Sequence, residues 1–235
     1  MKAVSWNIYF DLHNIKERTM KIIDLSVSTD ADIIMFQEVR DDILDMLISE
    51  MKSRGYILPE SNKQTCRIIK YKYSTLTFIK EKSPFTQDAT VNIIDYIHSK
   101  MGRDILEVVV NGFHIYNVHL ESLAQSKVIR EIQLSMLLNL VQANRGIGCG
   151  DFNIRDSIID QGVSELPTQN TYFAYRFHGR NYSARYDRVV YNPVVKCELS
   201  EYLGNSKYDI GYCSDHNGIV FTFSLYLTLN YIITV

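Results

Sequence analysis

The chain has 235 residues, 46% of them hydrophobic, so it can bury a sizeable core without dividing into two domains. Lysine and arginine total 25 against 27 aspartates and glutamates, which excludes a globally positive surface. Any contact with nucleic acid must then come from a local basic groove. We interpret residues 1–235 as a single domain and expect a monomer.

The four cysteines are scattered, without a C-x-x-C pair, and the chain opens without a basic and apolar leader. Both features favour reduced thiols in an intracellular compartment, nucleus or cytoplasm, rather than secretion. The hydrophobic tail 221–235 is interrupted by Thr, Ser and Asn and is shorter than a membrane-spanning helix. We interpret it as a final strand with an extension, and expect no membrane association.

The first part of the chain alternates between predicted strands and predicted amphipathic helices. The strands are 1–9 and 31–39, and the helices are 13–27 and 41–54, the second closed by Gly55. The first strand ends near Asn7 and the second near Glu38. Polar side chains at these positions would emerge where the strands end.

The middle of the chain is richer in strands. They are predicted at 65–73, 74–80, 89–96 and 104–110. Asn111-Gly112 between two apolar runs indicates a hairpin, and the second strand of that hairpin ends at His119. A long helix at 124–143 leads to a strand at 148–151, and further strands are predicted at 185–191 and from 221. Strands that cluster twice imply an α/β fold of two packed sheets with helices outside.

The segment Gly150-Asp151-Phe152-Asn153 has the pattern of a strand end that turns at a rim. Glycine allows backbone and ligand to approach closely, and side chains two residues apart share one face of an extended segment. Asp151 can take a proton from water, while Asn153 can orient that water or a phosphate oxygen. Alone this tetrapeptide is also typical of a simple turn.

Polar residues recur at the predicted strand ends, which is the edge where α/β sheets bind ligands. Each has a simpler interpretation as a turn former, a helix cap or a core histidine. Their joint occurrence instead favours one functional site. The set comprises Asn7, Glu38, His119, Asp151, Asn153, Asp187, Asp215 and His216.

A third feature is the segment 172–180, in which aromatic and basic residues interleave, among them Tyr175, Arg176 and Arg180. Aromatic rings can stack on bases while guanidinium groups contact phosphates, which suits single-stranded nucleic acid. The same alternation also fits a half-buried strand with solvated arginines. The sequence leaves both interpretations open.

Four ordered motifs carry a resemblance to a known family. They are Ser5-Trp6-Asn7, Gln37-Glu38-Val39, Gly150-Asp151-Phe152-Asn153 and Ser214-Asp215-His216. Together they resemble the endonuclease/exonuclease/phosphatase superfamily. Membership implies a DNase I-like four-layer α/β sandwich, in which two mixed β-sheets pack face to face with helices outside. It also implies Mg²⁺-dependent phosphodiester or phosphate-ester hydrolysis, with Mn²⁺ as a possible substitute.

Within that superfamily, the segments 119–122, 150–156 and 185–188 are most similar to 5′-tyrosyl-DNA phosphodiesterases. This similarity implies a substrate with a single-stranded 5′ DNA end that carries a tyrosyl adduct of the topoisomerase II type, or else RNA. Tyr9 stands where those enzymes usually have an acidic residue. The segment 172–180 stands where they have a tryptophan-containing segment. Both departures concern the substrate and not the phosphodiester chemistry.

The resemblance also implies roles for single residues. Glu38 would be the Mg²⁺ ligand, supported by Asn7 and Asp215. Asp151 would be the general base and Asn153 would position the water. His216 would stabilise charge on the phosphoryl oxygens, oriented by Asp187. Contacts to phosphate or DNA would come from His119, Ser122, Arg155, Tyr175, Arg176 and Arg180.

Two alternatives remain open from the sequence. One is an endonuclease, abasic-site nuclease or RNA-directed phosphodiesterase on the same scaffold. The other is a catalytically silent member that binds nucleic acid or a protein partner. The expected acidic, amide and imidazole groups are all present, which favours an enzyme.

Overall fold

The computed structural model describes residues 1–158 and 162–225, and its first sheet has six strands. In chain order they are β1 (Lys2–Asn7), β2 (Ile33–Arg40), β3 (Tyr56–Ile57), β4 (Tyr73–Lys80), β13 (Val195–Leu203) and β14 (Gly218–Leu225). The spatial order is β13-β14-β1-β2-β4-β3. Parallel pairing of β1 with β2 brings Asn7 beside Gln37, so the first two motifs lie at one edge.

The second sheet also has six strands among the described residues. They are β5 (Thr90–Asp95), β6 (Asp104–Val110), β7 (Phe113–His119), β8 (Gly146–Asp151), β9 (Ser164–Leu166) and β12 (Asp187–Tyr191). Their spatial order is β5-β6-β7-β8-β12-β9. The predicted hairpin at Asn111-Gly112 is present, with φ of 49° and 75°, which suits a two-residue hairpin turn.

Helices cover the outer faces of the two sheets. They are α1 (Ile15–Ser28), α2 (Leu44–Ser53), α3 (Ser61–Tyr71) and α4 (Lys127–Ala143). One apolar cluster joins β1, β2 and β4 to α1 and α2, and another joins β7 and β12 to α4. A third cluster, including Met35, Ile147 and Phe221, lies between the sheets. The four-layer sandwich expected from the motifs is therefore confirmed.

The predicted strand at 65–73 is wrong, because most of this stretch lies in α3. The helix buries Gln64, Arg67 and Ile68, which are spaced as one helical face. Two of these three are polar, so the hydrophobic period that indicates a helix is hidden in the sequence. Arg67 is satisfied instead by an ion pair with Asp104 at the start of β6.

Some elements were not predicted. Strand β13 runs with exposed polar residues along most of its length, so its apolar alternation is weak. The short strands β9, β10 (Tyr172–Phe173) and β11 (Ser183–Ala184) are held by tertiary pairing. The tail prediction is confirmed for β14, and its proposed extension lies outside the described residues.

No helix within 1–158 and 162–225 is long and apolar enough to cross a membrane. The four cysteines, all within the described residues, form no disulfide. Cys149 and Cys197 are buried between the sheets, and burial raises the pKa of the Cys197 thiol to about 12.

Candidate active site

The predicted site residues come from both sheets and meet at one edge of the sandwich. Asn7 ends β1 and Asp151 ends β8, and the Asn7 Nδ2 donates to Asp151 Oδ2 at 3.0 Å. Asp187 begins β12, which is antiparallel to β8, so it pairs directly with Asp151. His216 precedes β14, which is antiparallel to β1, and therefore reaches the same edge. Because β12 runs antiparallel to β8 and β14 runs antiparallel to β1, residues at the start of β12 and β14 lie beside residues at the end of β8 and β1.

Gly150 shows why this strand end needs glycine. Its φ is +136°, and a Cβ built there would lie 1.9 Å from the backbone oxygen of Val118. No other residue fits that approach of β7 and β8. Asn153 also has a left-handed φ, 52°, and its backbone N–H donates to Asp151 Oδ1 at 2.9 Å. The turn therefore holds both oxygens of the carboxylate, one through Asn153 and one through Asn7.

Glu38 is aimed into the site by a bulge in β2. The register with β4 shifts between Phe36 and Val39, and Glu38 has a φ of 62° that a residue with a Cβ rarely adopts. Such strain is usually retained at functional positions. Phe10 N donates to Glu38 Oε2 at 2.9 Å, while Oε1 lies 3.8 Å from the Nε2 of His119.

His216 and Asp187 form a tight buried pair, with 2.7 Å between Nδ1 and Oδ2. The other ring nitrogen lies 3.7 Å from Asp151 Oδ2. Burial opposes the charged imidazole, but Asp187, Asp215 and Asp151 outweigh burial and raise the pKa of His216 well above its usual value. The predicted orientation of His216 by Asp187 fits this geometry.

His119 lies on the other side of Asp151, with 3.6 Å between its Nε2 and Asp151 Oδ2. Arg103 NH2, which can only donate, lies 3.3 Å from the same Nε2. Burial and then the charge of Arg103 lower the pKa of His119 well below its usual value. This imidazole is therefore neutral.

Two buried carboxylates of the site, Asp151 and Asp215, have raised pKa values. Burial, partly offset by His216, raises the pKa of Asp151 to about 6 and that of Asp215 to about 7. Asp187 and Glu38 add repulsion to Asp151, and Glu38 adds repulsion to Asp215. A buried carboxylate with a pKa near 6 can accept a proton at neutral pH.

The donor set fits a divalent cation bound with few protein ligands. Within the described residues, no group of three or more His, Cys, Asp or Glu side chains forms a closed metal cage. Mg²⁺ does not need one, because it keeps several waters and takes one or two carboxylates. Among the described residues, the buried Asp215 Oδ1 has no hydrogen-bond partner, and Glu38 Oε1 lies 3.8 Å from His119 Nε2, beyond hydrogen-bond distance. Hard oxygen atoms of the kind that Mg²⁺ prefers therefore lie at this edge.

The residues expected to contact the substrate divide into two groups. Arg155 and Arg180 border a groove of about 650 Å³ with Tyr172, Tyr182 and Tyr186. Both arginines are exposed, and Arg155 stacks over the Tyr182 ring at 4.8 Å. These two positions suit contact with an extended ligand.

The second group of residues expected to contact the substrate comprises Ser122, Tyr175 and Arg176. Ser122 is half-buried, with its hydroxyl 3.3 Å from Met101 Sδ, and Tyr175 is 48% exposed on the surface. Arg176 was expected to contact phosphate, but its guanidinium instead bonds the backbone of Ser214 and His216. Both terminal nitrogens of Arg176 therefore donate within the protein, and its contact with phosphate stays a prediction.

The sequence interpretation missed two residues that shape the site. Arg103 contacts His119, and Thr171 Oγ1 accepts the backbone N–H of Asp187 at 2.9 Å. Tyr172, which opens the predicted aromatic and basic segment, packs against the His216 ring with 5.0 Å between centroids. Arg103 could have been suspected, because it directly precedes a predicted strand, 104–110, in which most residues are apolar. Thr171 carries no local signal.

Comparison with known families decides the class of the protein. Residues 4–216 match the profile described as "Endonuclease/Exonuclease/phosphatase family". The chain belongs to this family. Its phosphoesterase fold is one that typically serves metal-dependent hydrolases. Comparison with curated proteins gives no match.

Solved structures resemble the family member over nearly its whole length. A humanised D. rerio TDP2 with 14 mutations has a TM-score of 0.77 at 22% identity, covering 95% of this chain and 98% of that one. D. rerio TDP2 complexed with a single-strand DNA product has a TM-score of 0.75 at 22% identity, with the same coverage. Truncated Caenorhabditis elegans TDP2 has 0.74 at 24% identity, covering 94% and 96%. At these identities the likeness establishes the fold.

Proposed function

We propose that this protein is a Mg²⁺-dependent phosphodiesterase that hydrolyses a 5′-phosphotyrosyl bond at a DNA end. The observation that carries the proposal is the buried array in which Asn7, Asp187 and His216 surround Asp151. Asn7, Asp151 and His216 come from three motifs far apart in the chain, and Asp187 comes from the segment 185–188. Packing them around one carboxylate costs stability, which is typical of a catalytic site.

Asp151 is the general base of the proposed reaction. Its two oxygens are held by Asn7 and by the backbone of Asn153, so the carboxylate presents a fixed geometry to an attacking water. A pKa of about 6 leaves it mostly deprotonated at neutral pH while it remains basic enough to take a proton. Asn153 Nδ2 donates to Leu120 O at 3.1 Å, so its side-chain oxygen is left to orient that water.

His216 supplies positive charge to the phosphoryl oxygens. Its pairing with Asp187 leaves Nε2–H directed towards Asp151 and the space beside it. A preorganised charged donor stabilises the negative charge that develops as phosphorus is attacked. Neutral His119 donates or accepts a hydrogen bond on the opposite side without adding charge.

Glu38 would hold the Mg²⁺ ion, with Asp215 supporting it or its water shell. Such an ion supplies Lewis-acid polarisation of the phosphate and neutralises charge on the leaving oxygen. Asn7 is engaged with Asp151, so we assign it to the base rather than to the metal.

Support for the DNA substrate comes from three independent observations. The motifs resemble 5′-tyrosyl-DNA phosphodiesterases, and the similar structures are of TDP2, including one with a single-strand DNA product. The groove beside Tyr172 also combines exposed arginines with aromatic rings, which suits a single strand. An intracellular setting, inferred from the scattered cysteines, is part of the same proposal.

The test is a panel of oligonucleotides with Mg²⁺ or with EDTA. It contains a 5′-phosphotyrosyl strand, an abasic strand, an intact strand and an RNA strand of equal length. We expect Mg²⁺-dependent release of tyrosine with a kcat/KM at least about tenfold above the other substrates, a difference of ~1.4 kcal/mol in transition-state binding.

Other outcomes contradict the proposal in different ways. Preference for the abasic, intact or RNA strand would place the protein among the nucleases of this family. Lack of hydrolysis of every strand and of bis-p-nitrophenyl phosphate would indicate a silent binding protein. Asp151→Asn serves as the matched inactive control for each arm.

A further inference from the structure

The guanidinium of Arg176 reaches the turn that carries His216. Its NH1 donates to Ser214 O at 3.1 Å and to His216 O at 3.3 Å, and its NH2 donates to Asn217 Oδ1 at 2.7 Å. Three bonds from one rigid fork thus span residues 214–217, two to backbone carbonyls and one to the Asn217 side chain. A lysine ammonium cannot reproduce this geometry.

Two aromatic rings hold the plane of that guanidinium. The Arg176 CZ atom lies 4.5 Å from the centre of the Phe173 ring and 4.8 Å from that of the Tyr212 ring. The face of each ring attracts the guanidinium charge, more strongly where water is excluded. The aromatic and basic segment 172–180 therefore supports the turn from within the protein.

A second arginine contacts the residue that precedes this turn. Arg18 of α1 is 1% exposed, and its NH1 donates to Cys213 O at 3.0 Å and to Ile8 O at 3.2 Å. Its Nε donates to His13 O at 2.9 Å, and its NH2 donates to Tyr9 O at 3.2 Å. Arg18 thus joins the residues after β1 to those just before the Ser-Asp-His motif.

The remaining carbonyls of the turn also have donors from elsewhere in the chain. Phe173 N donates to Asp215 O at 2.8 Å, and Trp6 Nε1 donates to His216 O at 3.1 Å. Each carbonyl from 213 to 216 therefore accepts a bond from outside the turn. Buried carbonyls need partners, but here side chains rather than a strand supply most of them.

We propose that Arg176 and Arg18 are positioning residues, which clamp the backbone of 213–217 so that Asp215 and His216 face Asp151. Neither arginine contacts the reacting groups, so each acts through the turn that it holds. The proposal rests on the proposed function for its effect on rate. Because misplacement of a catalytic group by about 1 Å can lower a rate roughly 100-fold, loss of the clamp affects kcat more than KM.

The experiment compares Arg176→Met with Arg145→Met, a matched change at an exposed arginine beside the opposite end of β8. Hydrolysis of p-nitrophenyl thymidine 5′-phosphate and amide hydrogen exchange are measured on the full chain. For Arg176→Met we expect kcat to fall roughly 10- to 100-fold, with KM within about threefold. Amide exchange should rise selectively in peptides that cover 213–217, and Arg145→Met should change neither.

Three results would contradict the proposed positioning role of the arginines. They are unchanged kcat and exchange in Arg176→Met, exchange that rises throughout the chain, and full kcat in Arg176→Lys, which keeps only the charge. Arg18→Lys tests the contribution of the second arginine, and amide hydrogen exchange at 213–217 is again the measurement. If the unsubstituted protein hydrolyses no phosphodiester, the proposed function fails, while local exchange at 213–217 still decides the clamp.

Discussion

The imidazoles of His119 and His216, which both lie beside Asp151, are alike in burial and distance but differ in charge. His216 Nε2 lies 3.7 Å and His119 Nε2 lies 3.6 Å from the same carboxylate oxygen. Asp187 faces the far nitrogen of His216 and raises its pKa, whereas Arg103 approaches His119 and lowers its pKa. The partner, rather than the depth, sets which ring is charged.

This difference divides the site into two halves with distinct chemistry. The His216 half offers a fixed positive charge for phosphoryl oxygens. The His119 half contains a neutral ring 3.8 Å from Glu38, so no imidazolium repels a cation held there. A site for a dianionic transition state and a divalent cation needs both arrangements side by side.

The largest effect on kcat is expected from a change of Asp151, which lies beside both imidazoles. Asp151→Asn keeps the shape but removes the proton acceptor, so kcat should fall by roughly 10² to 10⁴. Steady-state rates on a phosphotyrosyl oligonucleotide measure the loss, and circular dichroism checks that the fold is retained. A near-normal kcat would remove Asp151 from the role of base.

The second prediction separates the two imidazoles directly. His216→Gln should lower kcat roughly 10² to 10³-fold, because it removes a charged and preorganised donor. His119→Gln should cost only about tenfold, the worth of one neutral hydrogen bond. Equal losses in the two variants would mean that the charge difference has no part in the rate.

A third prediction concerns the half that contains Glu38. Glu38→Gln retains the hydrogen-bonding shape but removes the charge, so kcat/KM should fall roughly 100-fold, about 3 kcal/mol. The Mg²⁺ concentration for half-maximal activity should rise as well. Titrating Mg²⁺ against both proteins measures the shift, and an unchanged Mg²⁺ dependence would place the ion elsewhere.

The fourth prediction uses the stability of the metal-free protein. Burial raises the pKa of Asp215 from 3.8 to about 7, so the folded protein binds a proton that the unfolded chain releases. The resulting stability is present at low pH and is lost as pH rises through 7. Asp215→Asn should therefore stabilise the protein at pH 8 by roughly 2 to 4 kcal/mol, and little at pH 3.

Thermal unfolding in EDTA at pH values from 3 to 8 measures this difference. Glu201→Gln, a change at an exposed carboxylate on β13, is the matched control and should alter stability little at any pH. Lower stability of Asp215→Asn at pH 8 would show that its ionised form is favourable beside His216.

The smallest effect is expected at the groove beside the His216 half. Arg180→Ala should raise KM for a single-stranded oligonucleotide about two- to fivefold and reduce the salt dependence of binding by about one phosphate contact. Arg176→Ala should instead lower kcat on oligonucleotide and small ester alike. The same kinetic change in Arg180→Ala and Arg176→Ala would contradict the assignment of Arg180 to the groove and of Arg176 to the turn.

The residues of the site could be predicted from the sequence because their chemistry is local. Glu38, Asp151 and His216 lie within short motifs at predicted strand ends, and strand periodicity places such residues at a sheet edge. The hairpin at Asn111-Gly112 was predictable for the same reason, since a two-residue turn is specified by the residues in it.

The features that could not be predicted from the sequence depend on contacts between residues far apart in the chain. Most of helix α3 was predicted as a strand because its buried face includes Arg67, which pairs there with Asp104, 37 positions away. The aromatic and basic composition around Arg176 predicted contact with phosphate. In the folded protein its guanidinium lies beside the Ser-Asp-His turn and donates to a backbone carbonyl there. The charges of His119 and His216 likewise depend on partners brought by folding. A sequence specifies which groups can ionise, whereas burial and neighbours in the tertiary structure set whether they do.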